Sequence, residues 1–182
     1  MRVIAGEAKG RRLIGPKTDA IRPVLDQVKE AVFNILFDVG GLHVLDLFAG
    51  TGAVGIEALS RGAKECVFVD SGKEAIQIIS KNLELCKMVD RAQVFEMPVG
   101  KGIDLLSKKG KAFDLIFVDP PYERGFVQKS LQKLAASSLL HSESVIIVEH
   151  HPKEPVGKIE GLGLTDERKY GQTLVGFLRK KT

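Results

Sequence analysis

Apolar positions along this chain pass from loose alternation to short continuous runs that trade places with helical spacing. In residues 1–14, Val3 and Ile4 lie on one side of Ala5-Gly6-Glu7-Ala8-Lys9-Gly10, with Leu13 and Ile14 on the other. Two short strands about a glycine-containing turn fit that pattern. So few apolar residues cannot sustain a hairpin alone, so this one should lean on the rest of the chain. Residues 15–23 read as a polar connector. Across 25–37, Val28, Val32, Ile35 and Leu36 recur at i, i+4, i+7 and i+8, one face of a helix that Gly40-Gly41 stops.

Strands and helices then alternate. The pattern predicts strand 43–48, helix 53–61, strand 65–70 and helix 73–86. It continues with a short strand 92–95, a weaker helical piece 102–108, strand 113–118, helix 127–136 and strand 144–149. Residues 164–169 and 173–179 flank Tyr170-Gly171-Gln172 and read as an antiparallel hairpin on an otherwise parallel sheet. Such alternation requires helices on both faces of the sheet. The expectation is one α/β domain over 21–182, preceded by a basic hairpin extension over 1–20.

Composition narrows this picture. With 182 residues, 44% hydrophobic and 27% charged, the chain is long enough for a substantial core. No apolar run approaches the ~20 residues of a membrane span, and no secretory segment opens the chain, so a cytoplasmic protein is expected. Cys66 and Cys86 form no disulfide framework and read as reduced structural residues. The net charge of +4 is unevenly placed. Residues 1–29 hold Arg2, Lys9, Arg11, Arg12, Lys17, Arg22 and Lys29 against Glu7, Asp19 and Asp26, which accounts for the whole surplus. Such an arm favours a polyanion, most simply nucleic acid, although a merely solvated segment has the same composition.

Two stretches hold the candidate chemistry. The run Val44, Leu45, Leu47 and Phe48 leads into Gly50-Thr51-Gly52 and Gly55, a G-x-G-x-x-G pattern that opens a helix. Glycine at the first two positions lets the backbone turn sharply and approach a ligand. Asp70 ends the next strand, where a carboxylate can take ribose hydroxyls. A glycine-rich turn that binds nothing is the competing reading. The second stretch is Asp119-Pro120-Pro121-Tyr122, directly after an apolar strand. Its prolines stiffen the loop, so the Asp119 carboxylate and the Pro120 carbonyl can face an exocyclic amino group at fixed spacing. Tyr122 can offer a stacking face. A proline-bounded strand end is the bland alternative. Ligands of such sheets bind beyond the carboxyl ends of the strands, which brings Asp46, the glycine turn, Asp70 and Asp119 to one edge.

The combination of Asp46-Leu47-Phe48-Ala49-Gly50-Thr51-Gly52 with Asp119-Pro120-Pro121-Tyr122 resembles S-adenosylmethionine-dependent methyltransferases that act on amino groups. Arg2-Val3-Ile4-Ala5-Gly6, Gly10-Arg11-Arg12-Leu13, Arg22-Pro23, Lys29-Glu30 and Phe33-Asn34 resemble, more closely, the RsmD family of bacterial small-subunit ribosomal RNA guanine-N2 methyltransferases. The resemblance runs from residue 2 to about residue 150. It implies a Rossmann-like class I methyltransferase fold with a mostly parallel seven-stranded sheet, and S-adenosyl-L-methionine as cofactor. Asp46, Phe48, Ala49, Gly50, Gly52, Asp70, Ser71, Glu96 and Met97 would contact the cofactor, and Asp119, Pro120 and Tyr122 the target guanine. Arg2, Lys9, Arg11, Arg12 and Arg22 would contact small-subunit ribosomal RNA, free or within an assembled 30S particle. A monomer without metal or membrane contact is implied. Two departures stand out: Val24 follows Arg22-Pro23 where the family often has Thr, and Glu96-Met97-Pro98 replaces a common Asp/Asn-Ala at the adenine.

Adenine N6 is the alternative target, since that chemistry uses a similar loop, commonly with Asn in place of Asp119. A nicotinamide-dependent oxidoreductase rests on the glycine pattern and Asp70 alone, in a chain without a second mononucleotide-binding half. A non-catalytic RNA-binding module is the third reading. His150 and His151 read as surface histidines, Lys180-Lys181 as a solvated end, and Glu149 as either a cleft residue or a solvated one.

Overall fold

The computed structural model describes residues 1–16, 23–36, 38–122 and 124–181. Its elements are α1 (Pro23–Leu36), β1 (His43–Leu47), α2 (Ala53–Ser60), β2 (Glu65–Asp70), α3 (Lys73–Cys86), β3 (Ala92–Glu96), α4 (Val99–Lys108), β4 (Phe113–Val118), α5 (Phe126–Ala135), β5 (Leu140–His150), β6 (Leu162–Tyr170) and β7 (Thr173–Lys180). A single 3-10 turn, Val89–Arg91, leads into β3. The sheet order is β3-β2-β1-β4-β5-β7-β6. Strands β1 to β5 are parallel, and β7 runs antiparallel to both β5 and β6. This is the Rossmann-like methyltransferase architecture, with strand order reversing between β1 and β4.

Side chains on a strand alternate between faces, and each face here closes its own core layer. Val44, Cys66, Phe68, Leu115, Phe117 and Ile147 face one side and pack with Val28, Val32 and Phe33 of α1, Ile56 and Leu59 of α2, and Ile79 and Leu83 of α3. Leu45, Leu47, Val67, Val69, Ile116 and Val118 face the other and meet Ile103 and Leu106 of α4 and Leu131 and Leu134 of α5. A sheet covered on both sides needs apolar residues at every strand position, which is why β2 and β4 read as continuous apolar runs.

Boundaries follow the apolar pattern closely, with two informative differences. Helix α4 begins at Val99, three residues ahead of the expected start, on the far side of Pro98. Strand β5 begins at Leu140 rather than Ser144. There Ser144 Oγ accepts from His141 N–H at 2.9 Å and donates to Phe113 O at 2.7 Å, beside a register shift between Phe113 and Leu115. His141, Ser142 and Glu143 conceal a strand whose polar groups are satisfied locally.

The N-terminal segment leans on the domain as expected, but its strands reduce to one bridge, Arg2 to Arg12. Val3 N–H donates to Arg11 O at 3.0 Å and Gly10 N–H to Val3 O at 2.8 Å. Between them the backbone turns onto the end of α2, where Glu7 N–H donates to Ser60 O at 2.9 Å and Ala8 N–H to Ser60 Oγ at 3.0 Å. Gly6 sits at φ +81°, and a Cβ there would fall 1.8 Å from Ser60 O, so only glycine permits this approach. Arg22 and residue 37 lie outside the described residues, as do the expected connector beyond residue 16 and the side chain of Val24.

His150 is not a surface histidine. It is fully buried, its Nδ1 3.1 Å from Glu154 O and its Nε2 3.2 Å from Glu167 Oε1 of β6. Strands β6 and β7 cover this end of β5, a long-range packing that local polarity does not signal. His151 alternates to the other side and is half-buried. Cys66 and Cys86 are buried and unpaired with each other. Among the described residues, no helix is long and apolar enough to cross a membrane.

Candidate active site

At the carboxyl end of β1 the chain leaves the sheet through three alternate positive-φ positions: Phe48 at φ 60°, Gly50 at φ 56° and Gly52 at φ 75°. For phenylalanine this conformation is strained, of order 1–3 kcal/mol. It sets the Phe48 ring 5.7 Å from that of Phe126 and on the wall of a cavity. The turn is braced from below. Asp70 accepts from Gly50 N–H at 2.9 Å through one carboxylate oxygen and from Gly72 N–H at 2.7 Å through the other. Asp46 accepts from Gly55 N–H at 3.0 Å, holding the first turn of α2 onto β1.

The three glycines of the pattern do different things. A Cβ on Gly55 would stand 2.3 Å from Phe68 Cε1, and one on Gly52 3.2 Å from Ile79 Cγ1, so both serve packing of helix against sheet. A Cβ on Gly50 would meet nothing closer than Phe48 O at 3.9 Å, because Gly50 faces the cavity.

That cavity, about 260 Å³, lies over the point where strand order reverses. Its floor is Asp46, Phe117 and Ile147, its rim is Phe48 to Thr51, and Asp119 and Glu149 enter from the ends of β4 and β5. The N-terminal arm supplies the remaining wall through Met1, Leu13, Gly15 and Pro16. Thr51 Oγ1 also donates to Met1 Sδ at 3.5 Å. Three acids therefore share one apolar-walled space, which raises the pKa of each. Burial drives Asp46 up to about 8 despite the Gly55 hydrogen bond, and the charges of Asp119 and Asp70 add to the rise. Burial raises Asp119 to about 6. Glu149 is pushed well above the usual carboxylate range, by burial first and then by Asp119 and Asp46.

Of the residues singled out from the sequence, Asp46, Phe48, Ala49, Gly50 and Asp119 come together on this wall. Others do not. Gly52 lies behind the turn, and the Asp70 carboxylate is engaged with backbone N–H groups rather than lining the cavity. Ser71 and Glu96 are exposed, and Met97 packs against the second core layer while its N–H donates to Asp70 O at 2.9 Å. Pro120 is buried. Tyr122 is turned toward β7, its hydroxyl 3.3 Å from Thr173 Oγ1 and its ring 5.8 Å from that of His151; the aromatic faces on the cavity are Phe48 and Phe117. Arg2, Lys9, Arg11 and Arg12 are exposed on the arm, and Arg22 lies outside the described residues.

Sequence reasoning assigned no role to the residues that fasten the arm. Glu57 of α2 is fully buried and accepts from Ile4 N–H at 2.8 Å and Ala5 N–H at 3.0 Å. It also pairs with Lys29 Nζ at 3.2 Å and Arg61 Nε at 2.8 Å. Lys29 donates to Arg2 O at 2.8 Å and lines the cavity. Asn82 of α3, also fully buried, accepts from Ile14 N–H at 2.7 Å and donates to Ile14 O and Thr51 O, each at 3.0 Å. The one available signal was Lys29 itself, a charge set at i−3 and i−4 from the buried Val32 and Phe33. Among the described residues, no three His, Cys, Asp or Glu side chains converge as a metal site would require.

Comparison with known proteins places these features in a family. The family described as conserved hypothetical protein 95 matches residues 1–179. YlbH of Bacillus subtilis is 37% identical over 185 residues, covering 100% of both chains. Ribosomal RNA small subunit methyltransferase D of Escherichia coli K12 is 35% identical over 150 residues, 82% of this chain and 74% of the relative. The solved structure of yhhF from Escherichia coli superposes with a TM-score of 0.86 at 31% identity, covering 100% of this chain and 98% of the other. With a family match that spans hairpin, glycine turn and acidic loop alike, this chain belongs to that family, the RsmD family.

Proposed function

We propose that this chain transfers the methyl group of S-adenosyl-L-methionine to the exocyclic N2 of a guanine in small-subunit ribosomal RNA, acting in the cytoplasm. The observation that carries the reading is that Gly50 of the turn after β1 and Asp119 of the loop after β4 line one cavity. Membership of a family whose relatives include small subunit methyltransferase D supports the RNA substrate.

The residues present fit a cationic, partly apolar cofactor. Gly50 leaves open space beside its backbone, Phe48, Phe117, Ile147, Met1 and Leu13 provide apolar wall, and Asp119, ionised above about pH 6, favours positive charge. When bound, S-adenosylmethionine supplies an electrophilic methyl group on a sulfonium. Asp46 and the Gly50 turn hold its methionine end, and Asp70 keeps carboxylate lone pairs for ribose hydroxyls beyond those spent on Gly50 and Gly72. Glu96 and Met97 follow β3 at the adenine end.

The chemical difficulty lies in the nucleophile, because the guanine amino lone pair is delocalised into the ring. Asp119 accepts a hydrogen bond from that amino group, with the Pro120 carbonyl as second acceptor, and turns the lone pair toward the methyl donor. Positioning of this kind can lower a barrier by ~7–11 kcal/mol at best. The carboxylate also offsets positive charge that builds on nitrogen, and the proton leaves afterwards, so no obligate base is required. A paired guanine is out of reach, so the base is unpaired or flipped out. Arg2, Lys9, Arg11, Arg12 and Arg22 hold the RNA backbone through phosphate contacts.

The test is methyl transfer from labelled S-adenosylmethionine to protein-free small-subunit RNA and to 30S particles, followed by digestion to nucleosides. N2-methylguanosine is expected. N6-methyladenosine would move the target to adenine, and tight NADH binding without methyl transfer would replace the reading with an oxidoreductase.

A further inference from the structure

Strands β4 and β5 run parallel with Val118 opposite Val148, so the next residues, Asp119 just past β4 and Glu149 still within β5, lie side by side. Alternation keeps both on the face that carries Phe117 and Ile147, and both open onto the same cavity. Neighbouring strands lie ~4.8 Å apart, so the backbones of these two acids stand about one strand spacing from each other. Asp46, on the same face of β1, is engaged with Gly55 N–H. Among the described residues, the Glu149 side chain makes no hydrogen bond or ion pair, and it shares the cavity with Asp46, Asp119 and Lys29.

A guanine presented to Asp119 by its amino group displays N1–H and O6 next along the same edge. We propose that Glu149 positions the target guanine by holding that lactam edge, accepting from N1–H and donating to O6 while Asp119 holds the amino group. This assignment rests on the guanine-N2 reading above. A neutral carboxyl has the required acceptor and donor in one plane. The surroundings favour the neutral form: Asp119 on β4 and Asp46 on β1 face Glu149, and the Lys29 amine of α1 is drawn instead to Arg2 O and Glu57. Two parallel strand ends thus read three consecutive positions of one base edge.

The test compares target guanine with 2-aminopurine, which keeps the C2 amino group but lacks N1–H and O6. Each is placed, in small-subunit RNA, at the position mapped by the wild-type enzyme. Wild-type kcat/KM should favour guanine by about tenfold or more, as expected for two lost hydrogen bonds. Glu149→Leu should lose about tenfold on guanine and little on 2-aminopurine, collapsing the ratio. Glu149→Gln, whose amide is also acceptor and donor, should restore it. Equal losses on both bases in Glu149→Leu, or a Gln variant as poor as Leu, would overturn the assignment and leave the function intact. If Glu149→Leu fails to bind S-adenosylhomocysteine, the Gln variant alone decides, and a guanine preference abolished in it overturns the proposal. Absence of N2-methylguanosine in the wild-type reaction overturns the function instead.

Discussion

Asp46 offers a test in which the sign and size of an effect both come from the structure. The residue is 3% exposed and holds Gly55 N–H at 3.0 Å, yet burial outweighs that bond and places its pKa at about 8, against 3.8 for an ordinary aspartate. Between those values the folded chain binds one proton more than the unfolded chain. The stability contributed by Asp46 is therefore complete below the unfolded value and is lost as pH rises through the folded one, at about 1.4 kcal/mol per pH unit. Asp46→Asn keeps the side-chain oxygen for Gly55 N–H and nearly the same volume, but removes the titration. Relative to wild type, the variant should gain about 3 kcal/mol of stability on going from about pH 5 to about pH 7. Urea unfolding of both proteins at intermediate pH values, with m checked for constancy, measures this directly. Parallel stability curves, or a gain that runs the other way, would refute the claim that burial holds Asp46 neutral.

Asp119→Ala should lower kcat by about a hundredfold or more while S-adenosylhomocysteine binding, followed by calorimetry, changes little; full activity removes Asp119 from the mechanism. In the wild type, transfer should fall off as pH drops below about 6, where Asp119 takes its proton and loses the negative charge that offsets the charge building on nitrogen; a flat rate through that range contradicts the role. Replacing exposed Arg11 and Arg12 together by Ala should reduce the slope of log affinity for RNA against log salt by about 1.4 if both meet single-stranded phosphates, and an unchanged slope dismisses these two residues from RNA binding. Glu57→Gln leaves Lys29 and Arg61 without their shared buried partner, so a loss of about 3 kcal/mol or more in urea unfolding is expected, together with faster tryptic cleavage after Arg2, Lys9, Arg11 and Arg12. Unaltered cleavage would show that the arm is held by something else.

The division between what could be read from the chain and what folding added follows the range of the forces involved. Period-2 and period-3.6 patterning, glycine stops and continuous apolar runs are local, and from them come every strand and helix of the sheet, its antiparallel end pair and the two edge motifs at Gly50 and Asp119. Roles that depend on residues far apart could not be read this way. Asp70 was singled out for ribose hydroxyls from its place after β2 alone, and the bracing role it takes on Gly50 and Gly72 N–H appears only in the fold. Tyr122 was expected over the cavity and instead meets Thr173, 51 residues on, because β7 inserts beside β5. Glu57, 53 residues from Ile4, receives the arm only once α1 and α2 share a core layer. Glu149 acquires its meaning from parallel register with Asp119, which places two acids from separate motifs at one strand spacing. Sequence alone determined which elements form and which end of the sheet holds chemistry. Tertiary structure decided which side chains reach the cavity and which are consumed in bracing it, because desolvation and hydrogen-bond competition act on groups that only folding brings together.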